Sequence, residues 1–170
     1  MRRLRKQLAV LSAVVALALC CAHARADDAS YLRLKAAYLV NIARFVSWPS
    51  DDEKVVRLCL PSASDLAPLS ATLDGQPVGN ERTLRVVEPL GACDLLYLDK
   101  FSARAERFEA FGDSGKTLVV AEIADARQRG FAIQMYTRDL KLRLAINEDI
   151  VQDADYEMSS KLLRLYRRLN

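Results

Sequence analysis

Histidine is almost missing from the 170-residue chain, and its single instance, His23, lies in a stretch that reads as a removable leader. The remainder has none. That removes the commonest general base near neutral pH and the commonest metal ligand. It excludes Ser-His and Cys-His pairs as well. Calcium-loop chemistry lacks its pattern: Glu148, Asp149, Asp153, Asp155 and Glu157 cluster, but without the Asp-x-Asp-x-Asp-Gly register. Those acids read as a solvated connector. No spacing of carboxylates selects a glycosidase pair. Ser160 and Lys161 are neighbours on an expected helix and point in different directions, so a Ser-Lys pair does not form there. Internal repeats and low-complexity segments are also lacking. The expectation is a protein that is not an enzyme, with no catalytic residue, cofactor-binding residue, metal ligand or cofactor.

A second near-match fails on order. Gly112–Thr117, GDSGKT, lacks the glycine that a phosphate-binding P-loop carries five residues before Gly115, because position 110 is alanine. It follows a helical pattern and precedes a strand, the reverse of a P-loop. A helix stop followed by a turn accounts for it.

What is present begins with export. Arg2, Arg3, Arg5 and Lys6 precede an apolar run of about fifteen residues, Leu8–Ala22, which is short for a membrane span. Ala24-Arg25-Ala26 is a small-x-small cleavage site. Residues 1–26 are therefore expected to be a signal peptide cleaved after Ala26, leaving a periplasmic domain over 27–170 with no direct membrane insertion. Leu19 before Cys20 is too large for a lipoprotein site. Removing the leader's five basic residues from the 25 leaves 20 against 22 acidic ones, a net charge of −2. A clustered basic face for nucleic acid is not expected. The leader also takes Cys20 and Cys21, leaving Cys59 and Cys93. Two cysteines in an oxidising compartment favour a disulfide, with two buried free thiols as the alternative.

The domain is expected to form around Lys35–Pro49, KAAYLVNIARFVSWP, which is apolar nearly all round. Such a helix must be enclosed on every side. It is expected over 31–48, ended by Pro49. Val55–Leu60 and Leu95–Leu98 read as buried strands, Thr117–Ile123 as the most strongly apolar strand, and Thr83–Val87 as a strand ended by Pro89. Between them, Asp65 is expected to cap a helix carrying Leu66, Leu69 and Leu73. Ser102 is expected to cap another, with Ala105, Phe108 and Phe111 inward and Arg104, Arg107 and Glu109 outward. Asp125–Arg129 reads as one or two helical turns. Phe131–Tyr136 and Lys141–Ile146 alternate with period two across Arg138-Asp139, an antiparallel hairpin with one wetter face. Ser159 or Ser160 caps a last helix with Leu162, Leu163, Leu165 and Tyr166 on its apolar face. The fold class is α/β: a single domain with a mixed, mostly parallel sheet of five to six strands, helices on both faces, and a C-terminal antiparallel hairpin plus helix.

Lys35, Ala36, Ala37, Tyr38, Asn41, Ala43, Arg44, Phe45, Trp48 and Pro49 run in the order Lys-Ala-Ala-aromatic-x-x-Asn-x-Ala-Lys/Arg-Phe-x-x-Trp-Pro. This resembles the opening signature of the YfiR family, a domain of unknown function by catalogue. RLCL at Arg57–Leu60, CDLLYL at Cys93–Leu98, LRLAIN at Leu142–Asn147 and SSKLLRL at Ser159–Leu165 are similar to later family segments. The resemblance implies a periplasmic regulator that binds the periplasmic sensor domain of an inner-membrane GGDEF diguanylate cyclase. Such a regulator holds the cyclase inactive and lowers cyclic di-GMP and biofilm formation. It implies that Cys59 and Cys93 are the family's shared pair, with no second pair for a two-bridge redox switch. It leaves a homodimer open. The alternative class is a periplasmic small-ligand sensor, since α/β sheets carry ligands at the carboxyl ends of their strands.

Overall fold

Short aliphatic runs become the strands of a six-stranded sheet in the computed structural model, which describes residues 29–49, 54–61, 66–79, 81–87, 93–105, 108, 111 and 114–167. The leader, Asp65, Arg107, Glu109 and Gly112 lie outside these. Two units are distinguished, Met1–Leu34 and Lys35–Asn170, and the second carries the fold. The strands of the sheet are β2 (Val55–Cys59), β3 (Thr83–Val87), β4 (Leu95–Leu98), β5 (Leu118–Ala121), β6 (Ile133–Arg138) and β7 (Lys141–Ile146). They lie in the order β3-β2-β4-β5-β6-β7. All neighbours are parallel except β6 and β7. Every residue of β4 and β5 is buried, which is why LLYL and LVVA are apolar without alternation. The hairpin strands do alternate: Ile133, Met135, Leu142 and Leu144 are buried, while Gln134, Tyr136 and Arg143 are half-buried.

One face of the sheet packs Leu96, Leu98, Val119 and Ala121 with Ala103, Phe108, Ala126 and Phe131. The opposite face receives the helix α1, which spans 29–44 and from Lys35 onward belongs to the second unit. Its core side is Ala36, Leu39, Ile42 and Ala43. Ala37, Asn41 and Arg44 are exposed, so the helix is not enclosed on every side. Small Ala37 and the polar residues make an open stripe that a count of apolar letters overlooks. The helix also stops at 44 rather than 48. Pro49 pushes Trp48 out of the helical region. The extended Val46–Ser47 (β1) then pairs antiparallel with Glu157–Met158 (β8). Trp48 turns back so that its indole N–H donates to the Ala43 carbonyl at 3.1 Å, satisfying a helix-end acceptor, and its ring lies 6.2 Å from that of Tyr156.

The other helices are short. In α2 (Ala67–Leu73), Pro68 sits in the first turn and Leu69 and Leu73 are buried. Gly75, at φ +79°, follows the end. After β4 the chain forms a 3₁₀ turn, Ser102–Arg104, and the described residues Phe108 and Phe111 of the expected helix are also helical, Phe108 as 3₁₀ and Phe111 as α. Ser102 is its first residue rather than its cap: the N-cap position is Phe101, which has no side-chain cap bond, and the Ser102 N–H donates to Asp99 Oδ1 at 2.8 Å. The connector after β7 contains a helical turn, α3 (Glu148–Gln152), with Glu148 and Asp149 at its positive end. The last helix, α4 (Ser160–Arg167), is capped by Ser159 Oγ, which accepts from Leu162 N–H at 3.3 Å. Gly115, at φ +66°, bends the 114–117 segment into β5, and its carbonyl accepts from Asp155 N–H.

Cys59 and Cys93 are joined by a disulfide with Cα atoms 5.8 Å apart. Its position explains how the chain crosses the sheet. Val87 is the register partner of Cys59. The chain therefore leaves β3 beside Cys59 and is tied back to Cys59 only six residues later. Asp94 then fastens the start of β4 to β2. It accepts the Arg57 backbone N–H at 2.7 Å and both Nε and Nη2 of Arg57 at 3.1 and 2.9 Å. Thr117 Oγ1 donates to the Cys93 carbonyl from the other side.

Replacing both cysteines by serine should cost about 3–4 kcal/mol, from the loop-closure scaling for a separation of 34 residues, read as a lower urea midpoint. An unchanged midpoint would contradict this role. Burial also pushes the phenols of Tyr156 and Tyr166 well above their usual value, with Tyr38 adding to the shift at Tyr166. The raised native pKa means that the stability they confer is complete below the unfolded value of about 10 and is lost as pH rises above it. Thermal melts should show a fall in Tm beginning near that pH, and the fall should shrink in Tyr156→Phe.

Candidate functional site

The residues of the opening signature are drawn together by a charge buried at the carboxyl end of β5. Glu122 follows Ala121 immediately and is 9% exposed. Lys35, in α1, places its Nζ 2.7 Å from Glu122 Oε1. Tyr97, fully buried in β4, donates its hydroxyl to the same oxygen at 2.5 Å. One carboxylate thus collects a cation from the helix and a donor from the neighbouring strand. Such a pair is tolerated in a core only when its hydrogen bonds are made. The other polar signature residues are committed in the same way. Tyr38 OH donates to the Leu142 carbonyl at 3.0 Å, and Arg44 Nη2 to the Pro77 carbonyl at 3.4 Å. With Trp48 on Ala43, these contacts fasten α1 to β7, to the 76–79 turn and to its own end. The signature is mainly a set of fastenings between elements. Of its polar members, Asn41 is exposed.

Beside Glu122 the carboxyl ends of β4 and β5 open into a pocket of about 460 Å³ lined by Lys100, Arg104, Glu122, Ile123, Ala124, Asp125 and Arg129. Arg129 is anchored: its Nη1 donates to the Ala103 carbonyl, and its guanidinium lies 5.6 Å from the Phe131 ring centre. Sequence reading placed Arg104 only as an outward face of a helix, and gave Lys100 and Glu122 no role. A lone Glu ending an apolar strand was the available signal.

Apolar side chains left in water mark the other candidate surface. In the second unit the exposed large hydrophobics among the described residues are Phe101, at 81%, and Leu140, at 100%. Phe101 lies between the two cations of the pocket rim. Leu140 is at the hairpin tip, where Asp139 and Leu140 both have positive φ, 51° and 58°. That turn ordinarily wants Asn or Asp followed by Gly. A leucine there is strained and buries nothing, a combination typical of a residue held for contact with something else.

The acids Glu148, Asp149, Asp153, Asp155 and Glu157 are spread over α3, the bends after it and β8. Among the described residues no group of three or more His, Cys, Asp or Glu is placed to hold a metal ion. Nor is any described helix long and apolar enough to cross a membrane.

Lys35→Met leaves Glu122 buried with Tyr97 alone and should destabilise the protein by about 3–5 kcal/mol. Lys35→Met combined with Glu122→Gln should recover a large part of that loss. Chemical denaturation of the two variants measures both, and equal losses would show that the pair is not coupled.

No curated protein matches the chain. The family model of YfiR/HmsC-like proteins, DUF4154, matches residues 32–167, a span running from the start of the signature through α4. The chain belongs to the YfiR/HmsC-like family.

Proposed function

We propose that the chain is exported, cleaved after Ala26, and acts in the periplasm as a repressor of an inner-membrane diguanylate cyclase. It binds the cyclase's periplasmic sensor domain and holds it inactive, which lowers cyclic di-GMP and biofilm formation. The observation that carries this reading is family membership across 32–167. The disulfide is consistent with an oxidising compartment. Repression is a matter of differential binding. The regulator stabilises the sensor conformation it fits better, and a ligand with equal affinity for both conformations shifts nothing.

The contact is supplied by the exposed apolar residues, Phe101 at the sheet's carboxyl edge and Leu140 at the hairpin tip. Reduction of Cys59–Cys93 frees the crossover between β3 and β4 and weakens repression through loss of the folded form.

Deleting the gene should raise cellular cyclic di-GMP, and the purified chain should form a stable complex with the periplasmic domain of the cyclase. Unchanged dinucleotide levels on deletion would sink the reading. Two surface variants refine it. Phe101→Ala should weaken the complex about tenfold with no change in Tm. Leu140→Gly should weaken it similarly while gaining about 1 kcal/mol of stability, because glycine accepts the left-handed conformation that leucine resists. Surface plasmon resonance and thermal melts separate the two effects.

A further inference from the structure

The pocket at the carboxyl ends of β4 and β5 carries more positive charge than the fold uses. Of its two acidic lining residues, Glu122 is already matched by Lys35 at 2.7 Å and Asp125 stands exposed at the rim, against three cations. Arg129 is held by the Ala103 carbonyl and the face of Phe131. Lys100 and Arg104 are different. Both are exposed, and neither side chain makes a hydrogen bond or ion pair with any described residue. They stand four residues apart on the loop that Asp99 ties into a 3₁₀ turn, with Ser102 N–H on its carboxylate and Ala103 N–H on its carbonyl. That turn fixes the backbone from which both side chains rise. The opposite wall, Glu122–Asp125, follows β5 directly. A volume near 460 Å³ is in the range of small-molecule sites, and the carboxyl edge of a parallel sheet is where open α/β folds bind ligands.

We propose that this pocket binds a small multivalent anion bearing phosphate or carboxylate groups, gripped by Lys100 and Arg104 against the wall set by Arg129. Two oxygens of one such group suit the planar guanidinium of Arg104, and the Lys100 ammonium supplies a second charge at the rim. Asp125, also at the rim, disfavours binding of more than one anion and selects ligands whose charge is concentrated on one side. Phe101 lies between the two cations in sequence, so an occupied pocket alters the charge around an exposed apolar contact. Ligand and protein partner thereby act on adjacent ground. The proposal stands apart from the repressor reading, because it concerns the isolated chain.

The test is calorimetric titration of the purified exported chain with inorganic phosphate and, separately, with citrate. Saturable binding of either, with a Kd of about 1 mM or tighter, is expected. Lys100→Gln and Arg104→Gln should each weaken it about tenfold, while Lys141→Gln on the hairpin leaves it unchanged. Both pocket residues are exposed, so ligand-free Tm should match wild type. Binding of phosphate alone assigns a phosphorylated ligand, and binding of citrate alone a polycarboxylate. No saturable binding of either probe, or equal weakening by Lys141→Gln, overturns the proposal.

Discussion

A carboxylate placed inside a protein must find a partner charge or give up its own, and Glu122 has found Lys35. That requirement fixes where α1 lies. The helix brings its lysine to the carboxyl end of β5, and Tyr97 completes the cluster from β4. Once Lys35 is held there, Leu39 and Ile42 fall on the sheet and Tyr38 reaches the β7 backbone. The far end of the helix is closed by Trp48, and the chain can then pair as β1 with β8. Polar contacts thus determine the angle at which an apolar face is laid down. The apolar burial supplies most of the energy, but it is non-directional and could not choose the position alone.

The same reasoning applies to the other half of the sheet. A parallel return from β3 to β4 usually needs a dozen or more residues, and here five residues, 88–92, separate Val87 from Cys93. The disulfide ties Cys93, just before β4, to the end of β2, and the Arg57–Asp94 pair sets the register of β4 at once afterwards. The two cross-links act on different aspects of the fold. The covalent one restricts the unfolded chain and the ionic one selects the pairing.

These fastenings leave the carboxyl edge as the part of the second unit with unspent chemistry. Lys100, Phe101 and Arg104 come from one turn, and the neighbouring loop after β5 supplies the rest of the pocket. The hairpin tip is the other such place, where a strained leucine faces water. A family of regulators needs a stable frame and variable contacts. In this chain the signature builds the frame, and the proposed contacts lie on loops whose sequences carry no recognisable pattern.

The sequence by itself determined the six strands of the main sheet, the burial of β4 and β5 and the hairpin, because period-two alternation and short β-branched runs are local properties of the chain, but not the short pair β1 and β8. It also confined the single histidine to the stretch that reads as a leader. It misjudged the length of α1 and its enclosure, since an exposed alanine and a buried one are the same letter. It made Ser102 a helix cap, whereas Ser102 is the first residue of a 3₁₀ turn and its N–H is taken by Asp99, three residues earlier. Only the tertiary structure decided that Lys35 and Glu122 meet across 87 positions of sequence, that Lys100 and Arg104 share a pocket with Glu122, and that Phe101 and Leu140 stay in water. Those facts depend on which strands are neighbours, and strand order is set by long-range packing that no window of local sequence contains.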